Sequence, residues 1–148
     1  MKSENYMELK FPSKSANEAF ARAAVACFAA QLDPTLDELG DIKTAVSEAV
    51  TNCIVHAYRD SPLPPEKRMV ELRGEYYGDG RLVMTIKDCG RGISDIKQAM
   101  EPLFTTDPEG ERSGMGFTVM ESFTDRVRVR SKPGKGTVVR LEKNISIT

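Results

Sequence analysis

A chain of 148 residues that is 40% hydrophobic and 29% charged can bury one substantial core but is short of two, so residues 1–148 read as a single domain. A formal net charge of −1 gives no electrostatic reason to expect nucleic acid or an anionic membrane as partner. No apolar run approaches a membrane span, the opening "MKSENYMELKF" lacks the apolar block of a secretory signal, and the three cysteines, Cys27, Cys53 and Cys89, form no CxxC pair. These features predict a cytoplasmic protein without a disulfide framework, and a single histidine excludes a multi-histidine metal site.

Apolar and polar residues alternate from Tyr6 to Phe11, a strand that Pro12 ends. "SANE", Ser15 to Glu18, has the capping-box spacing and opens an alanine-rich helix to about Leu32; "TLDE", Thr35 to Glu38, opens a second helix that ends near Tyr58. "RDSPLPPEKR" is a loop by its prolines and charges. "MVELRGEYY" and "LVMTIKD" are strands joined through "GDGR". The following stretch to Phe117 is rich in glycine and holds only a short helix near Ser94 to Met100; such a long irregular segment suggests a lid, placed at 94–113. A helix from about Met115 to Phe123 and a hairpin around "KPGKG" complete the order β-α-α-β-β-α-α-β-β. That order predicts a two-layer α/β sandwich with a mostly antiparallel sheet and helices on one face.

The second helix raises a chemical question. At 100° per residue, Ile42, Ala45, Val46, Ala49, Val50, Cys53 and Ala57 share one apolar face, and Glu48, Asn52 and His56 form a stripe along its border. Taken alone, such a pair is most simply a solvated flank, with Cys53 a small core residue and His56 a hydrogen-bonded residue at the helix end. The chemical reading is a site for a metal-bound phosphate ester. Magnesium needs only one or two protein oxygens, which Asn52 supplies, and Glu48, not spent on the metal, can take a proton from an attacking hydroxyl.

Two glycine clusters extend that reading. In "DCGRG", Gly90 and Gly92 allow close backbone approach to a flat ligand, and Asp88 can accept a hydrogen bond from adenine's amino group, which guanine's carbonyl could not donate. In "ERSGMGF", Gly114 and Gly116 precede a helix and can turn amide N–H groups of the Ser113–Phe117 stretch toward an anion, with Arg112 adding a charge-assisted contact. Each cluster has an ordinary alternative, a strand-to-helix turn and a glycine hinge. In "KPGKGT", hairpin geometry accounts for Gly134 and Gly136, leaving the Thr137 hydroxyl within reach of a base. Neither a Walker loop nor a protein-kinase glycine loop is present.

"SEAVTNCIVHAY", "DCGRGI", "ERSGMGF" and "GKGT" resemble the N box, the two glycine boxes and the final turn of the Bergerat-type ATP-binding fold shared by histidine kinases, Hsp90, type II topoisomerases and MutL. Within that superfamily, "PLFTTDPEGERSGMGFTVMESF" and "FARAAVACFAAQLDPT" are similar to the anti-sigma F factors of sporulating bacteria, a likeness running from about Met7 to Leu141. The resemblance implies a dimeric serine-protein kinase that holds a sigma F-like factor inactive with ATP bound and phosphorylates a serine of its anti-anti-sigma antagonist. It further implies Asn52 as magnesium ligand, Glu48 as base and Asp88 with Thr137 at adenine. Ser113, Gly114, Met115, Gly116 and Phe117 would lie around the phosphates, Arg112 near the γ-phosphate, and Arg22 against both partners. The loop "RDSPLPPEKR" departs from the family by its length.

The alternatives are a histidine kinase catalytic domain, a chaperone-type ATPase, a binding module whose nucleotide only sets shape, and the related general-stress anti-sigma kinase. The sole histidine lies in the magnesium helix, which disfavours the first. The second needs a further domain. Glu48 disfavours the third, because binding alone does not require that carboxylate. Overall resemblance separates the fourth.

Overall fold

Alternation in the sequence sets the sheet. β1 (Asn5–Pro12) pairs with β2 (Met69–Tyr76), which pairs with β3 (Arg81–Asp88); the last hairpin joins β4 (Arg126–Lys132) and β5 (Gly136–Asn144). β5 inserts beside β3, giving the order β1-β2-β3-β5-β4 with every pairing antiparallel. The computed structural model describes residues 2–93, Met100 and 116–146. The helix expected near Ser94 to Met100 and the lid expected at 94–113 lie outside these but for Met100.

Among the described residues, three α-helices cover one face: α1 (Ala16–Ala29), α2 (Leu36–Asn52) and α3 (Gly116–Phe123). The predicted apolar face of α2 is buried through Ile42, Ala45, Val46, Ala49, Val50 and Cys53, against Val70, Leu72, Leu82, Met84, Ile86 and Leu141 of the sheet. Ala57 is only half-buried. Burying this much aliphatic surface, at roughly 1.5–3 kcal/mol per large side chain, is what holds α2 on the sheet. β4 is an edge strand, and its alternation leaves Arg126, Arg128, Arg130 and Lys132 exposed while Val127, Val129 and Ser131 turn inward.

Two expectations are corrected. The box at Thr35 forms, with Glu38 N–H donating to Thr35 Oγ1 (3.1 Å) and Thr35 N–H to Glu38 Oε1 (2.9 Å). The one at Ser15 does not: Ser15 is itself helical and makes no side-chain cap. Its Glu18 is drawn to other partners, accepting from Ser47 Oγ on α2 and pairing with Arg22 at 3.7 Å. The second helix does run toward Tyr58, but its α-winding stops at Asn52 and Cys53–Ala57 form a π-turn. Such turns are inserted where a helix must satisfy a local constraint, often at functional sites.

Candidate functional site

The constraint is the "DCGRG" turn. The Ala57 carbonyl at the end of the π-turn accepts the Arg91 N–H at 2.8 Å. A Cβ on Gly90 would sit 2.1 Å from that carbonyl oxygen, so no side chain fits there. Gly92 adopts φ +76 and faces the Lys132 carbonyl oxygen at 2.1 Å from its virtual Cβ. Gly136 adopts φ +91 and is pressed equally close to the Asp88 carbonyl oxygen. Three glycines thus let four backbone segments meet without side chains between them. The sequence assigned Gly90 and Gly92 to ligand approach and Gly136 to hairpin geometry; in the structure all three also answer to the protein's own packing.

This packing sets Asp88 at the end of β3 directly opposite Thr137 on β5. Asp88 and Thr137 are 5% and 9% exposed, the buried polar side chains among the described residues. Asp88 Oδ1 accepts the Gly90 N–H at 2.9 Å, and Oδ2 accepts the Cys53 thiol at 3.5 Å. Burial raises the Asp88 carboxyl above its ordinary value, with the Gly90 N–H, the Cys53 thiol and the Thr137 N–H pulling back. Burial also pushes the Cys53 thiol well up, and the neighbouring Asp88 charge adds to it.

Ser131 was missed by the sequence reading, although its place on the inward side of "RVRVRSK" was a signal. Its hydroxyl donates to the Gly136 carbonyl (2.9 Å) and accepts the Ile93 N–H (2.7 Å). The remaining 2.8 Å contact between Ser131 Oγ and Thr137 Oγ1 must then use the Thr137 proton, because each hydroxyl has one. Thr137 is left presenting lone pairs. Beside it stands a carboxylate, so the pair is built to accept hydrogen bonds, as an exocyclic amine requires. Tyr58 was also missed. Its hydroxyl donates to the Met69 carbonyl (2.6 Å) and accepts the Cys89 N–H (2.9 Å), and burial pushes its pKa to about 12.

Glu48 and Asn52 lie one turn apart on the last two turns of α2, both half-buried, immediately before the π-turn that abuts the glycines. His56 lies within the π-turn, where winding differs from the α-helical stripe that placed it. Gly116 and Phe117 open α3, and Phe117 packs against the core. Arg112, Ser113, Gly114 and Met115 lie outside the described residues. Arg22 is on α1, held near Glu18, with 42% of its side chain exposed.

No cluster of three His, Cys, Asp or Glu side chains able to cage a metal occurs among the described residues. Asn52, one turn from Glu48, offers a carboxamide oxygen of the kind an ion such as magnesium can take, its other ligands coming from water and phosphate. An accepting Asp88–Thr137 pair beside these glycines, with Glu48 and Asn52 near the end of α2, suits a nucleotide.

The chain matches a family model described as a histidine kinase-like ATPase domain over residues 11–143. It is 55% identical over 145 residues to an anti-sigma F factor of Caldanaerobacter subterraneus subsp. tengcongensis, spanning 98% of this chain and 97% of that one. To an anti-sigma F factor of Clostridium botulinum (strain Eklund 17B / Type B) it is 55% identical over 144 residues, spanning 97% of each. The crystal structure of the RsbU and RsbW domains of Rv1364c from Mycobacterium tuberculosis superposes with TM-score 0.69 at 18% identity, covering 97% of this chain and 32% of that one. The SiaB–SiaC complex from Pseudomonas aeruginosa superposes with TM-score 0.67 at 10% identity, covering 92% and 88% respectively. At those identities the two structures speak to the fold alone.

Proposed function

The chain belongs to the histidine kinase-like ATPase family and, within it, to the anti-sigma F factors, and from that premise we propose that it binds and inhibits a sigma F-like factor and uses ATP to phosphorylate a serine of its anti-anti-sigma antagonist. The observation that carries the nucleotide reading is the cross-strand pair Asp88–Thr137, buried and arranged to accept. Adenine's amino group can donate to the lone pairs that this pair still presents.

In this reading the Asn52 carboxamide oxygen would hold magnesium, which when bound draws charge from the phosphates. Glu48 takes the proton of the antagonist's serine hydroxyl as its oxygen attacks the γ-phosphorus. The bond from that phosphorus to the β-bridging oxygen breaks, and ADP departs. Arg112 and the backbone of Ser113 to Phe117 are assigned to the phosphates by the glycine-box motif. Arg22 is assigned to both partners in turn. A homodimer is part of the proposal.

The test is incubation with γ-labelled ATP, magnesium and a candidate anti-anti-sigma protein. Label on the partner's serine is expected. Free phosphate alone would mean an ATPase, label on this chain an autokinase, and either result would overturn the kinase assignment.

A further inference from the structure

The sheet face turned away from the helices divides by charge. Strand register sets its rows: Arg128 on β4 stands opposite Arg140 on β5, and Arg130 aligns through Val138 with Lys87 on β3. Residues directly opposite share a face, so Arg140 and Lys87 join the exposed side chains of Arg126, Arg128, Arg130 and Lys132 on one surface. Glu142 is the one carboxylate these three strands turn to that side, and it is shared between Arg81 at 3.6 Å and Arg140 at 3.5 Å. Glu71 on β2 stands opposite Lys87 but is engaged by Lys10 at 3.6 Å. The β1–β2 half neutralises itself further, because Arg73 pairs with both Glu8 and Glu75. Among the described residues, Arg126, Arg128, Arg130, Lys132 and Lys87 make no ion pair.

This arrangement costs stability. Like charges directly opposite each other on neighbouring strands are destabilising, and Arg128 faces Arg140 in that way. An edge strand carries charge for its own reasons, which accounts for β4. It does not account for Arg140 and Lys87, which stand on interior strands. A surface that gathers cations across three strands is matched by an anionic surface from outside.

The chemistry of the face selects the occupant. A single nucleic-acid strand is held by stacking on aromatic rings as well as by charge, and β3, β4 and β5 contain no aromatic residue. An extended peptide repeats its side chains on one side every two residues, roughly 6.5–7 Å, the interval that also separates the outward cations along β4. Glutamates spaced in that way can each meet a guanidinium, which takes a carboxylate with two parallel hydrogen bonds. Val138, half-buried between Arg130 and Lys87, gives the peptide an apolar seat.

We propose that the β3–β5–β4 half of this face docks an extended acidic segment of a partner protein. Arg22 lies on α1 in the helical layer, so the surface is separate from the one assigned above and does not rest on the kinase reading. The test is an NMR titration of the full chain, at constant ionic strength, with a capped dodecapeptide of alternating glutamate and threonine. The lysine–threonine counterpart and a twelve-nucleotide oligothymidylate serve as comparisons. Saturable amide shifts confined to β3, β4 and β5 are expected, fading as salt is added. Arg128→Gln, Arg140→Gln and Lys87→Gln should each weaken binding by about twofold to fivefold, as loss of one exposed charge contact does. Lys10→Gln removes the same charge from the neutralised half and should leave binding unchanged. Non-saturating shifts, equal binding of the lysine peptide, an equal loss from Lys10→Gln, or losses confined to Arg128→Gln would overturn the site. Tighter binding of the oligothymidylate at the same residues would overturn the choice of a protein partner.

Discussion

Gly90→Ala separates two reasons for a glycine in the first glycine box. A methyl at this position would lie 2.1 Å from the Ala57 carbonyl oxygen, whereas real Cβ contacts essentially never fall under 3.0 Å, so one backbone must retreat by about 1 Å. Overpacking of this kind costs about 1–3 kcal/mol. The retreat also breaks the 2.8 Å hydrogen bond from Arg91 N–H to Ala57 and strains the 2.9 Å one from Gly90 N–H to Asp88. Loss of one buried bond adds about 1–3 kcal/mol. Together the cost is about 2–6 kcal/mol, a large share of the roughly 5–15 kcal/mol that holds a typical domain together. For about 150 residues each kcal/mol lowers Tm by about 2–4 °C. The nucleotide-free variant should therefore melt about 4–24 °C below the parent by circular dichroism. If it melts with the parent and only nucleotide affinity falls, the glycine serves ligand approach and the packing argument fails.

Four further substitutions address the site. Glu48→Gln should keep nucleotide binding and lose phosphotransfer by about 10²–10⁴-fold, read by label transfer to the antagonist; undiminished transfer removes Glu48 from the reaction. Asn52→Ala should weaken nucleotide binding with magnesium far more than without it, and equal losses in calorimetric titrations would count against the ion assignment. Asp88→Asn tests burial as well as recognition. A carboxyl whose folded pKa is raised loses stability for the protein as pH rises from the ordinary Asp range through the folded value. The variant's Tm advantage should thus grow with pH across that window and then level off, while adenine binding declines; an advantage that shrinks as pH rises would refute the sign. Arg22→Glu forfeits a half-exposed 3.7 Å pair with Glu18, worth at most about 1 kcal/mol, so it should spare fold and nucleotide but disrupt partner binding in a pull-down.

The strands were legible because alternation is a local signal, and the buried face of α2 was legible because its period holds through Cys53. What the sequence could not carry was contact between distant segments. Nothing near Ser15 says that Glu18 will serve Ser47 and Arg22 instead of its cap. The π-turn follows from the fit of Ala57 against Gly90, which is decided when α2 meets the end of β3. Asp88 and Thr137 were found separately, one after a strand and one after a hairpin turn. Their direct opposition comes from β5 inserting beside β3, and Ser131 acquires its role only once that neighbour is fixed.

Of the sheet's two margins, one belongs to β4, whose outward side chains repeat Arg126, Arg128, Arg130 and Lys132. Another copy brought alongside in register would set like charge against like charge, an old defence against strand annealing. The chain can therefore be concentrated without zipping up along that margin. The protection is electrostatic and fades as added salt shortens the Debye length from about 10 Å at 0.1 M to 3 Å at 1 M.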